Sequence, residues 1–150
     1  MAERVLAIDY GERRVGLALS NPETGFVSGL PTLDRRALKD GGLRAAIAAL
    51  VVEREVDRVL LGIPYSLDGS IGPAAENVLA FRDRLYLVTD APIEEWDERL
   101  TTEAARRRLQ ELGYSEKEMR DKLDQLSAVL MLEQYLRFRE SQPDEPEGAA

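Results

Sequence analysis

Three carboxylates stand where strands or a helix would present them at one edge of a sheet. Asp9 ends an apolar, strand-like run over residues 4–10, Glu98 follows a shorter run over residues 93–96, and Asp124 lies on a long amphipathic segment. Carboxylates beside buried strands are costly unless they are paired or bind a cation. Oxygen-only clusters suit Mg²⁺ or Mn²⁺, and two such ions, ~4 Å apart, activate water for phosphodiester cleavage. The order of the three residues therefore favours a catalytic site built on two divalent cations.

Each carboxylate also has an ordinary structural explanation when it is taken alone. Asp9 is compatible with a turn residue at the end of a strand. Glu98 falls within an acidic run that is typical of a solvated loop. Asp124 follows the apolar Leu123 by about 100° round a helix, which is the border of the buried stripe. Only the combination of the three positions indicates a shared site.

The composition limits the chemistry that is available to such a site. The 150 residues include no Cys and no His, which excludes disulfides, thiolate metal sites and catalysis by a Ser-His or Cys-His pair. Acid–base and metal chemistry then falls to Asp, Glu, Lys, Tyr or water. No apolar run approaches the ~20 residues that span a membrane, and the start shows no signal peptide, so we expect a cytoplasmic protein.

The net charge of −8 does not by itself exclude a nucleic-acid partner. Residues 140–150 contribute four acids and no base, and therefore half of that charge. Basic clusters occur along the rest of the chain, at Arg13 and Arg14, Arg35 to Lys39, Arg106 to Arg108, Arg120 and Lys122, and Arg137 and Arg139. Such clusters are compatible with contacts to phosphates.

Hydrophobic periodicity and turn signals predict an α/β fold. Strands are predicted over residues 4–10, 14–20, 26–33, 58–63 and 93–96, and helices over 43–55, 71–85, 101–112 and 115–139, the last with a capping box at its start. This order predicts a five-stranded mixed sheet, with a three-strand antiparallel meander and two parallel strands, flanked by helices. The predicted domain covers residues 1–140, and residues 141–150 are predicted to be an acidic, disordered tail.

Four segments resemble, in order, the motifs of the YqgF/RuvX family. They are residues 9–18 (DYGERRVGLA), 62–70 (GIPYSLDGS), 97–102 (DERLTT) and 123–128 (LDQLSA). The resemblance extends from about residue 4 to residue 136. It implies an RNase H-like fold related to Holliday-junction resolvases, with Asp9, Glu98 and Asp124 as the carboxylates that hold the metal.

The last motif adds two details to the implied site. Ser127 stands where the family usually has Ala, a conservative replacement. Asp121 precedes Asp124 by about one helical turn and is a candidate fourth ligand, because related resolvases carry an acid with similar spacing. The alternative for Asp121 is a solvent-facing side chain.

The resemblance implies two activities, resolution of four-way DNA junctions and processing of the 5′ end of pre-16S rRNA. An actin-like ATPase also uses an Asp at the end of a strand, but its two-domain body needs a much longer chain. A non-catalytic nucleic-acid-binding module on the same fold is a third alternative. The presence of all three carboxylates favours an enzyme over that module.

Substrate contacts and assembly are expected from residues outside the acidic cluster. The expected nucleic-acid-binding residues are Arg14, Arg106, Arg107, Arg120, Ser66 and Ser70. Arg14 is also compatible with a strand-edge salt bridge, and the two serines with a self-satisfied turn. Symmetric cleavage of a junction suggests a homodimer, with candidate contacts at Tyr114, Tyr135 and Phe138, although Tyr135 is also a candidate for the core.

Overall fold

Five strands form one mixed sheet in the computed structural model, which describes residues 2–142 without the side chains of Thr102, Asp121, Asp124 and Gln125. The elements are β1 (Val5–Tyr10), β2 (Arg14–Ser20), β3 (Val27–Asp34), α1 (Arg35–Glu53), β4 (Arg58–Ile63), α2 (Pro73–Leu85), β5 (Ile93–Asp97), α3 (Glu98–Glu111) and α4 (Glu116–Ser141). The predicted tail lies outside the described residues from position 143 onward.

The strand order is β3-β2-β1-β4-β5. The pairs β1–β2 and β2–β3 are antiparallel, whereas β1–β4 and β4–β5 are parallel. This arrangement confirms the predicted meander followed by two parallel strands. Because β1, β4 and β5 run in the same direction, their carboxyl ends meet at one edge of the sheet.

Helices cover both faces of the sheet, and the alternation of side chains along β1 shows how the faces divide. Leu6 and Ile8 join a core with buried residues of α1 and α2, whereas Val5 and Ala7 join a second core with α4. The second core contains the buried Ala128, Met131, Leu132 and Tyr135 of α4. Asp9 continues the series of Val5 and Ala7 and therefore lies on the face that α4 covers.

Two helices begin earlier than the sequence predicted. The carboxylate of Asp34 accepts hydrogen bonds from the backbone N–H groups of Arg36 and Ala37, so α1 begins at Arg35 rather than near residue 43. A kink with positive φ at Lys39 separates this first turn from the main helix. Asp97 caps α3 in the same way, so that helix begins at Glu98 rather than at residue 101.

The last helix begins as predicted. Ser115 accepts a hydrogen bond from the N–H of Glu118, and the Glu118 side chain accepts one from the N–H of Ser115, which completes the capping box. Across residues 2–142, no helix combines the length and the apolar character needed to cross a membrane.

Candidate active site

Asp9 and Glu98 meet at the carboxyl edge of the sheet, as the sequence predicted. Asp9 lies near the end of β1, and Glu98 is the first residue of α3, directly after β5. Strand β4 lies between β1 and β5, and the side chain of Glu98 passes over it at Gly62. A Cβ atom at Gly62 would lie 2.6 Å from Glu98 Oε1 and 2.9 Å from Met131 Sδ. The missing side chain therefore makes room for Glu98 to reach Asp9.

The side chains of Asp9 and Glu98 line one small pocket, together with Thr101, Ser127 and Met131. Burial raises the pKa of Glu98 to about 9, and the charges of Asp9 and Asp97 add to this shift. At neutral pH the metal-free protein therefore favours the protonated form of Glu98. Such a pair, brought together at a strand edge, is typical of a functional site.

Ser127 of α4 also contacts the acidic pair, and no role was predicted for this residue from the sequence. Its hydroxyl donates a hydrogen bond to Oδ2 of Asp9. At this point α4 packs beside Gly16, the partner of Asp9 in the β1–β2 register. A Cβ at Gly16 would lie 3.6 Å from Asp9 Cβ and 3.7 Å from Ala128 Cβ. The only signal in the sequence was the position of Ser127, one helical turn after Asp124.

The predicted third and fourth ligands, Asp124 and Asp121, have side chains outside the described residues. Their convergence with Asp9 and Glu98 stays a prediction. Among the side chains that the structure does describe, no three acidic groups come together as a metal site. Asp124 lies on α4, three residues before Ser127.

Asp97 is engaged in a separate set of contacts that also holds the neighbouring loop. Its carboxylate accepts from the N–H of Arg99 and, at 2.7 Å, from Nη2 of the Arg99 guanidinium, which lowers the pKa of Asp97. Nη1 of Arg99 also donates to the carbonyl oxygens of Ser66 (3.3 Å) and Leu67 (3.2 Å). Arg99 thus ties the loop after β4 to the start of α3, beside Glu98.

The loop after β4 forms a turn closed by its own hydrogen bonds. The N–H of Ser66 donates to the carbonyl of Ser70 (3.0 Å), and the Ser70 hydroxyl donates to Asp68 Oδ1 (2.6 Å). The turn thus satisfies part of the polar capacity of both predicted substrate-binding serines. Leu67 lies in the middle of this turn with 97% of its surface exposed.

Of the four predicted phosphate-binding arginines, Arg14 lies near Asp9. Together with Asp9, Gly11, Glu12, Arg13 and Gly16 it lines an open pocket of about 380 Å³. Arg106 forms an ion pair with Glu116 (2.8 Å), Arg107 forms one with Glu103 (3.7 Å), and Arg120 is exposed on α4. None of these three lines either of the two pockets that contain Asp9 in the described part of the chain.

The three aromatic residues considered for a dimer contact differ in exposure. Tyr135 is buried in the core under α4, which confirms the alternative and removes it as a surface contact. Phe138 is 49% exposed and packs edge-on against Trp96. Tyr114 is partly exposed, with the Lys122 ammonium 5.7 Å from its ring centre.

Comparison with known proteins finds a family and relatives that match almost the whole chain. The family model described as "RuvX: Holliday junction resolvase" matches residues 3–138. A relative from Chloroflexus aurantiacus is 38% identical over 144 residues, covering 93% of this chain and 90% of the relative, and one from Halothermothrix orenii is 34% identical over 136 residues, covering 91% and 96%. Both carry the name "Putative pre-16S rRNA nuclease".

A solved structure of RuvC from Thermus thermophilus, in complex with a Holliday junction substrate, has a similar fold. The TM-score is 0.56 at 12% sequence identity, with 93% of this chain and 96% of that chain covered. A second structure of RuvC from the same organism gives a TM-score of 0.55. At this identity the likeness concerns the fold, and it confirms the expected RNase H-like architecture.

Proposed function

The chain belongs to the RuvX nuclease family, and we propose that it is a divalent-metal-dependent endonuclease that hydrolyses phosphodiester bonds in structured nucleic acid. The observation that carries this proposal is that the side chains of Asp9 and Glu98 line one small pocket at the carboxyl edge of the sheet. In the proposal Asp9, Glu98 and Asp124 are the catalytic carboxylates. A cytoplasmic location is part of the same proposal.

The described side chains fit a hard divalent cation. The donors at the pair are carboxylate oxygens, and the protein contains no Cys or His to offer softer ligands. Burial and the charge of Asp9 raise the pKa of Glu98, and a cation bound in the pocket that the two side chains line would offset the cost of ionising both. Asp9, Glu98 and Asp124 would hold Mg²⁺ or Mn²⁺, with Asp121 as a candidate fourth ligand. When bound, such ions supply Lewis-acid activation of water and of the phosphoryl oxygen.

The residues around the carboxylates prepare the site for a phosphodiester. Gly62 leaves the space in which the Glu98 side chain crosses β4. Arg14 lines the pocket that contains Asp9 and can bind a substrate phosphate there as a charge-assisted donor. Arg99 holds the loop after β4 at the start of α3, so that loop borders the acidic pair in a defined conformation.

Two substrates are candidates for this site. The description of the family favours a four-way DNA junction, whereas the names of the relatives at 33–38% identity favour the 5′ end of pre-16S rRNA. A junction requires two symmetric cuts, for which a homodimer is the usual solution, and the rRNA end requires only one. Light scattering with and without a junction separates the two assemblies.

The deciding experiment offers the purified full-length protein both substrates, with Mg²⁺ or Mn²⁺ and with EDTA. We expect metal-dependent cleavage that is lost in Asp9→Asn and in Glu98→Gln. Glu111→Gln, an exposed position at the other end of α3, is the matched control and should retain cleavage. Failure to cut either substrate with either metal would contradict the proposal. Cleavage of only one strand of the junction by a monomer would favour the rRNA substrate.

A further inference from the structure

Ser127 contacts Asp9 from α4, whereas Glu98 reaches the same pocket from the start of α3. The hydroxyl of Ser127 donates to Oδ2 of Asp9, 118 residues away in sequence. Ser127 also lines a small pocket together with Asp9, Glu98, Thr101 and Met131. The hydroxyl is therefore part of the wall of the site.

We propose that Ser127 is a positioning residue, which fixes the orientation of the Asp9 carboxylate for the binding of a divalent cation. This inference rests on the proposed function, since it concerns the same carboxylates. A donor that holds one oxygen of a ligating carboxylate restricts its rotation and leaves the other oxygen oriented. Loss of such a supporting hydrogen bond typically lowers metal affinity by about 10- to 100-fold.

Asp9, Ser127 and Ala128 lie round the same small space beside Gly16. A Cβ at Gly16 would lie 3.6 Å from Asp9 Cβ, 3.7 Å from Ala128 Cβ and 3.8 Å from Ser127 Oγ. From this position on α4, the hydroxyl of Ser127 supplies a directional restraint on the Asp9 carboxylate.

The position of the Ser127 hydroxyl is itself set by the core. Ala128, the next residue, is only 3% exposed, and Met131 and Leu132 are buried against the same face of the sheet. This packing fixes the height and the rotation of α4 at the site. Ser127 therefore links Asp9, on β1, to a helix whose position is fixed by the core.

The test compares Mn²⁺ affinity among variants of the full-length protein. Ser127→Ala removes the donor, Ser127→Thr keeps a hydroxyl, and Ser141→Ala is the matched control at the far end of the same helix. Titration calorimetry with Mn²⁺ measures the affinity directly. Quenching of Trp96, the single tryptophan, by Mn²⁺ is a second readout, since Trp96 donates to the Thr101 hydroxyl beside the pair. Unfolding curves verify that each variant is folded.

We expect Ser127→Ala to weaken Mn²⁺ binding by about tenfold, and Ser127→Thr and Ser141→Ala to stay near the unsubstituted protein. Unchanged affinity in Ser127→Ala would overturn the inference. Equal losses in Ser127→Ala and Ser127→Thr would also overturn it, because one of them retains the donor. If the unsubstituted protein binds no Mn²⁺, the proposed function itself fails, and the inference fails with it.

Discussion

The environment of Glu98 favours its protonated form. The free energy of unfolding of the metal-free protein should therefore depend on pH. The pKa of Glu98 is raised from 4.5 to about 9, chiefly by burial. Below pH 4.5, both the folded and the unfolded chain hold the proton. As the pH rises toward 9, the unfolded chain releases the proton while the folded chain keeps it, so the free energy of unfolding falls.

The variant Glu98→Gln should remove this dependence, because the amide cannot ionise. In EDTA, we expect it to be more stable than the unsubstituted protein at pH 8, by up to about 5 kcal/mol, since roughly 3.5 pH units above 4.5 each contribute about 1.4 kcal/mol. At pH 4 the two proteins should be similar in stability. Urea unfolding at both pH values, with Glu111→Gln as control, measures the difference. Parallel pH profiles for Glu98→Gln and the unsubstituted protein would contradict the pKa assignment.

Gly62 is the position at which the space for Glu98 can be tested. In Gly62→Ala, the new methyl group would lie 2.6 Å from Glu98 Oε1 and 2.8 Å from its Cγ. We expect a loss of about 1–3 kcal/mol in the free energy of unfolding, and a large loss of cleavage because Glu98 must move. Gly41→Ala is the matched control, since that helical position has no atom within 4 Å of the new methyl group. It should be neutral or slightly stabilising.

At the residue scale, a sequence predicts features that depend on neighbouring residues better than features that depend on packing between distant elements. Asp9 and Glu98 could be predicted because each ends a recognisable strand, and parallel strands share an edge. The hydrogen bond from Ser127 could not, because it depends on how closely α4 approaches β1. That approach brings Gly16 beside Ala128, and the two residues lie more than 100 positions apart in the sequence.

At the scale of elements, the strands were predicted to within about two residues, because apolar runs mark them directly. The starts of α1 and α3 were missed, because their capping residues resemble other features. Asp34 ends a strand, and Asp97 stands in an acidic run, so neither was recognised as a helix cap. The glycines at 41 and 42 also argued against a helix that the structure continues through them.

The conformation of the loop after β4 should depend on the hydrogen bonds that Arg99 makes to it. Arg99→Lys keeps the charge but loses the planar group that contacts Asp97 and the carbonyls of Ser66 and Leu67 together. We expect faster amide exchange at Ser66 and Gly69, whose N–H groups close the turn, with little change in global stability. Cleavage should fall because the loop borders the site.

Arg107→Lys is the control for that experiment, since Arg107 contacts only the exposed Glu103 among the ion pairs of the described residues. Native-state hydrogen exchange followed by mass spectrometry or NMR measures both variants. If exchange in the loop is the same in Arg99→Lys and Arg107→Lys, Arg99 does not hold the loop.

At the scale of the whole molecule, the distribution of charge predicts which arginines bind substrate. Arg14 lines the pocket that contains Asp9, whereas Arg106 is neutralised by Glu116 on the neighbouring helix. We expect Arg14→Gln to weaken junction binding more than Arg106→Gln and to reduce the slope of log affinity against log salt by about one. Binding titrations at several salt concentrations, in Ca²⁺ to prevent cleavage, measure both quantities. Equal effects of the two substitutions would contradict this assignment.

The crossing of the sheet by α4 has a consequence for the synthesis of the protein. The first carboxylate, Asp9, leaves the ribosome early, whereas Ser127 and the residues that cover the second face of the sheet are translated near the end. Until α4 is complete, Ala7 and Leu60 have no helix to cover them, and the acidic pair lacks one wall. The candidate site is therefore incomplete in a nascent chain, and it closes only when the final helix docks.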